Sequence, residues 1–188
     1  MKLTSSPQTR KSYNMKHMFE EIEIIKFFIL REGQGGIGIF EEEDNDFYKP
    51  VFLFSQTAEQ KEIEETKARF LIELMEKYGY QSEEITFDAG FGMGMFDFAG
   101  LIVWQKGAPY IIADFLSKNA AKEQTQKAKK RLLDKAKTFG VEFVVLVKGA
   151  KRRSFMVNGQ TVRPAAIPRG ADLPKKLGQT SLIMKKHL

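Results

Sequence analysis

The spacing of apolar and polar residues changes several times along the chain, and each change marks a predicted element. Ile22 to Leu30 alternates and then becomes apolar, which predicts a strand; Gly33-Gln34-Gly35-Gly36 turns it and Ile37 to Phe40 returns. Glu41 to Asp46 is an acidic, solvated loop without EF-hand spacing, and Val51-Phe52-Leu53-Phe54 is a further short strand. Thr57 to Tyr78 places Ile63, Phe70, Leu71, Leu74, Met75 and Tyr78 on one helical face before a Gly79 stop. Glu83 to Asp88 predicts a strand.

A hairpin follows. Phe96 to Trp104 and Tyr110 to Lys118 are rich in β-branched and aromatic residues and flank Gln105-Lys106-Gly107-Ala108-Pro109. The preceding Gly90-Phe91-Gly92-Met93-Gly94 reads as a flexible connection. It leads into a strand rather than a helix N-terminus, and no P-loop lysine and hydroxyl follow it. Lys118 to Phe139 predicts a second helix with a narrow stripe of Ala121, Thr125, Ala128, Leu132, Ala136 and Phe139. Val141 to Val147 predicts a buried strand, Phe155-Met156-Val157 with Asn158-Gly159 a second hairpin, and the chain from Pro164 an irregular tail. The pattern is α/β: a flexible leader over 1–16, an N-terminal β appendage over 17–56, a core over 57–163 and a basic tail over 164–188.

Composition narrows the chemistry. The 188 residues contain no cysteine, and the two histidines, His17 and His187, lie near the termini, so thiolate and imidazole sites give way to carboxylate and lysine chemistry. Apolar runs fall far short of the roughly 20 residues a membrane span needs. The first residues lack the apolar core of a signal peptide, so a cytoplasmic protein is expected.

The net charge of +6 hides a split. Residues 1–117 hold 12 Lys/Arg against 20 Asp/Glu, a balance of −8; residues 118–188 hold 18 against 4, a balance of +14. A localised positive field of that size favours a polyanion such as nucleic acid; the plainer alternative is a basic tail of weak, general affinity. Lys122, Lys127, Lys130 and Arg131 on the second helix, with Arg152 and Arg153 beyond it, are the candidate nucleic-acid-binding residues.

Asp97 and Asp114 each stand in an otherwise apolar strand of the hairpin. A carboxylate there costs free energy unless it is paired, so the two suggest a shared cation. The plainer reading leaves Asp97 in a strand-end turn and makes Asp114 a cap of the basic helix.

The succession of helix, strand, hairpin, basic helix and strand from about Glu62 to Asn158 resembles the PD-(D/E)xK nuclease superfamily, in particular the N-terminal nuclease domain of type I restriction enzyme R subunits. The residues that carry the resemblance are Glu64-Glu65-Thr66-Lys67-Ala68-Arg69-Phe70, Tyr78-Gly79-Tyr80, Phe96-Asp97-Phe98-Ala99, Tyr110-Ile111-Ile112-Ala113-Asp114-Phe115-Leu116 and Gln124. The resemblance implies a restriction-endonuclease-like core, a mixed sheet flanked by helices. It also implies a Mg²⁺- or Mn²⁺-dependent endonuclease acting on DNA beside partner subunits of a restriction or defence system. Asp97 and Asp114 would hold metal, with Glu65, or less favourably Glu64, as a further acid.

The family's lysine falls two residues beyond the second acid, and here that position is Leu116. If the strand continued, Lys118 would reach the same face and could replace it as the third catalytic residue; Lys122 is a further candidate. Losing such a group typically costs on the order of 10²- to 10³-fold in rate. The alternative is therefore a catalytically degenerate nuclease-fold module that binds nucleic acid or a partner subunit. No Walker motif is present, so the chain is not expected to translocate DNA.

Overall fold

The computed structural model describes residues 19–33, 36–51, 57–89 and 99–170. The expected leader, Gly90 to Gly94, Asp97, Phe52 to Phe54 and residues 171–188 of the tail lie outside them. The described residues form an α/β structure of two helices and two sheets. A four-stranded antiparallel sheet runs in order β1 (Phe19–Ile25), β2 (Phe28–Gly33), β3 (Gly36–Glu41), β4 (Phe47–Val51). A six-stranded mixed sheet contains β5 (Ile85–Ala89), β6 (Ala99–Gln105), β7 (Ala108–Leu116), β8 (Phe143–Lys148), β9 (Lys151–Asn158) and β10 (Thr161–Pro164), with order β10-β9-β8-β7-β6-β5.

The stretch predicted as one strand from Ile22 to Leu30 is a hairpin. Ile25 pairs with Phe28 and the turn is Lys26-Phe27, with Lys26 at φ +50°. It contains no Gly, Pro, Asn or Asp, so the usual turn signal is absent. The strand expected from Val51 starts earlier, at Phe47, and its Pro50 is tolerated because β4 is an edge strand.

Helix α1 (Ala58–Glu76) starts where Thr57 Oγ1 accepts from the Gln60 N–H at 3.2 Å. It lies between the sheets. Leu30, Ile39 and Val51 from the small sheet, Phe70, Leu71 and Leu74 from α1, and Leu101, Ile111, Ala113 and Val145 from the large sheet form one buried cluster. The segment expected as an appendage thus shares its core with the rest. Lys49 Nζ adds a polar tie, donating to the carbonyls of Ser82 at 2.6 Å and Ile85 at 2.8 Å.

Helix α2 (Lys122–Phe139) covers the opposite face of the large sheet, where Ala128, Leu132 and Ala136 meet Ile112, Val144, Leu146 and Val157. It begins four residues later than the pattern predicts. Residues 117–120 form a turn instead, closed by the Ala120 N–H donating to the Ser117 carbonyl at 3.0 Å. Gly140, at φ +68°, ends it. Parallel strands need a crossover, and α2 supplies the one that sets β8 beside β7. The β6–β7 turn is Lys106-Gly107, both at positive φ, and Pro109 lies within β7.

Gly100 on β6 leaves room for an aromatic contact. A Cβ there would stand 2.9 Å from the ring of Phe115, which packs edge-on against Phe70 with centroids 5.8 Å apart. The irregular chain after β10 is anchored: Ile167 is buried, Tyr80 Oη donates to the Pro168 carbonyl at 3.1 Å, and the Gly170 N–H donates to the Tyr78 carbonyl at 2.8 Å. Among the described residues no helix is long and apolar enough to cross a membrane.

Phe70→Ala should lower the stability by about 3–5 kcal/mol in urea denaturation, with the probes of both sheets moving in one transition. Two separate transitions would contradict a core shared through α1.

Candidate functional site

Alternation along β7 decides where its acid points. Ala113 and Phe115 pack in the α1-side core, while Ile112 and Leu116 pack against α2, so Asp114 shares the α2 side. There Arg131 Nη2 donates to Asp114 Oδ2 at 2.8 Å; the Asp114 side chain is 13% exposed and the Arg131 side chain 63%. Asp114 does not cap the helix. The α2 cap is Ala121, whose N–H donates to Gln124 Oε1 at 2.7 Å. Leu116, two residues along the same face, is part of the apolar packing under α2.

Lys118 does not continue the strand. β7 ends at Leu116, and the turn that follows is gripped by Glu62 of α1. Glu62 Oε2 accepts from Ser117 Oγ at 3.2 Å and its Oε1 from the Lys118 N–H at 2.9 Å. The condition under which Lys118 would share the face of Leu116 is therefore not met. Lys118 lines a cleft with Glu62, Glu65, Lys61 and Gln124, and a second one with Lys122 and the β8–β9 turn. Glu65 is paired with Arg69 at 3.3 Å, and Arg69 also holds Glu23 of β1 at 2.7 Å.

A different acid, Asp88, shares a cleft with Asp114. A cleft of about 230 Å³ is lined by Ile63, Lys67, Asp88, Ala99, Gly100, Asp114 and Phe115. Lys67 is buried and donates to Glu64 Oε1 at 2.9 Å and to both Asp88 oxygens at 3.0 and 2.9 Å. Asp88 sits at φ +42°, a conformation few non-glycine residues adopt. Burial pushes the Glu64 carboxyl above its usual range against the pull of Lys67, and its Oε2 has no hydrogen-bond partner among the described residues. Lys67 and Asp88 were not among the predicted site residues. The signal for Lys67 was legible: a lysine at the helical spacing of Ile63, Phe70, Leu71 and Leu74 must be buried, and a buried ammonium needs carboxylates.

The expected metal set is thus divided. Asp114 lies in one cleft and Glu65 in another, while Asp97 is outside the described residues. Among the described residues no three acids come together as a metal-holding group. Asp114 is paired with Arg131, and Asp88 with Lys67.

The basic candidates also separate. Lys122, Lys127 and Lys130 are exposed on α2, with Lys127 paired to Glu123 at 2.9 Å. Arg152 and Arg153 point to opposite faces of β9, as a period of two requires. Arg152 is bound to Glu73 of α1 over the Phe70 ring, and Arg153 lines the cleft beside α2.

Lys67→Met leaves Glu64 buried without its counter-charge and should cost about 3 kcal/mol in chemical denaturation. Glu64→Gln in the same chain should recover part of that loss; strict additivity of the two changes would show that the pair is not coupled. Comparison with protein-family models, with characterised proteins and with solved structures finds no match to this chain.

Proposed function

We propose that the chain is built on a restriction-endonuclease-like core that binds nucleic acid, DNA above all, without hydrolysing it. A helix, a three-stranded antiparallel meander, a crossover helix and a parallel strand follow one another in α1, β5–β7, α2 and β8, which supports that core. The observation that carries the function is the setting of Asp114. The position two residues beyond it holds Leu116, packed under α2, and its carboxylate is held by Arg131. A hydrophobic side chain can neither orient water nor stabilise charge on a phosphate. Exposed Lys122, Lys127 and Lys130 with Arg153 offer phosphate contacts that need no catalytic group. The resemblance to type I restriction R subunits makes a partner subunit of a restriction or defence system the second class of ligand.

One observation favours a second reading, a Mg²⁺- or Mn²⁺-dependent endonuclease using Asp97 and Asp114. Lys67 brings an ammonium into the cleft of Asp114 from α1, an alternative to the strand position that Leu116 occupies and to Lys118 in the turn.

Incubation with supercoiled plasmid in Mg²⁺ or Mn²⁺ separates the two. The binding module retards DNA without nicking it, and its affinity falls about 100-fold or more between 50 and 200 mM salt. Metal-dependent nicking that disappears in Asp97→Ala would establish the enzyme instead.

A further inference from the structure

We propose that the cleft between the start of α2 and the β8–β9 turn binds a ligand carrying two or more adjacent phosphoryl groups. Five cations line it: Lys118 from the turn after β7, Lys122 from the first residue of α2, Lys148 from the end of β8, and Lys151 and Arg153 from β9. Among the described residues no carboxylate lines it. None of the five belongs to an ion pair among the described residues, whereas Lys26, Lys61, Lys67, Arg69, Lys77, Lys127, Arg131 and Arg152 all do. Cations gathered without counter-charge repel one another, and a phosphate chain relieves that repulsion while accepting their hydrogen bonds.

The cleft is held in shape by contacts between its two turns. The Gly149 N–H donates to the Leu116 carbonyl at 3.2 Å, Lys148 Nζ donates to the Ala120 carbonyl, and Glu62 fixes Ser117 and Lys118 from below. The turns approach so closely that a Cβ on Gly149, at φ +52°, would lie 2.8 Å from Lys118 Cβ. The cleft's space of about 640 Å³ is larger than a single phosphate requires, and the buried Leu146 gives it an apolar wall for a sugar or base. The inference rests on the nucleic-acid reading only for one of two phosphate sources, a nucleic-acid strand; the other is a nucleoside polyphosphate.

Calorimetric titration of the full chain with ATP, tripolyphosphate and adenosine at constant ionic strength tests the cleft, alongside fluorescence titration with a single-stranded oligonucleotide. ATP and tripolyphosphate should bind one per chain and adenosine should not. Lys122→Ala/Arg153→Ala should weaken that binding at least about 10-fold with the circular dichroism unchanged, whereas Lys77→Ala/Lys106→Ala, which removes the same charge elsewhere, should change it less than about 2-fold. If ATP does not bind but the oligonucleotide shows the same selective loss, the phosphates are those of a strand and the cleft stands. If ATP binds and the oligonucleotide does not, the cleft stands and the nucleic-acid function falls. Equal losses in the two variant pairs, or no binding of any phosphate-bearing ligand, overturn the proposal.

Discussion

Because α1 packs against the small sheet on one side and the large sheet on the other, most charged side chains near its core faces must find a partner on a neighbouring element. Glu76 meets Lys26, Lys61 meets Glu32 and Arg69 meets Glu23 toward the small sheet. Glu73 meets Arg152 and Lys67 meets Asp88 toward the large one. Glu62 does the same for backbone, taking the turn after β7. Ion pairs of this kind add little each where they are exposed. Lys67, from α1, lines the cleft of Asp114, whereas Glu65 lines a different one.

The uneven charge of the two halves acquires a structural meaning from this arrangement. The acids of the first half are used repeatedly as partners for cations of α1 and the strands around it. The second half has only four acids for eighteen cations, so pairing there runs out. Its cations do not spread evenly. Arg131 and Arg152 are drawn to acids of other elements, Lys129 lies 4.2 Å from the Phe155 ring centroid, and Lys118, Lys122, Lys148, Lys151 and Arg153, none in an ion pair among the described residues, share the cleft where α2 begins.

Elements whose period is long and regular were legible in the sequence. The stripes of Phe70, Leu71 and Leu74 and of Ala128, Leu132 and Ala136 are buried as their spacing predicts, and Gly140 ends α2. Local turn chemistry was less legible. Lys26-Phe27 turns the chain with residues that carry no turn signal, and the start of α2 is set by Glu62, a residue 60 positions from Lys122. The site was legible in part: Leu116 lies on the α2 face beside Asp114, as alternation demands, but the Arg131 partner of Asp114 depends on how α2 lies across the sheet. Lys67 stood in plain view as the one cation of an apolar stripe.

Gly100 ties the two halves of this arrangement together. Because β6 has no side chain there, the ring of Phe115 fills the space and reaches Phe70 on α1. Phe115 is the immediate neighbour of Asp114, so the position of that carboxylate is keyed to the helix through an absent side chain. A single added methyl at residue 100 would push on the ring, and the ring on both α1 and β7. The acid cleft can therefore be retuned from Gly100, one of its own lining residues, by a change that introduces no charge.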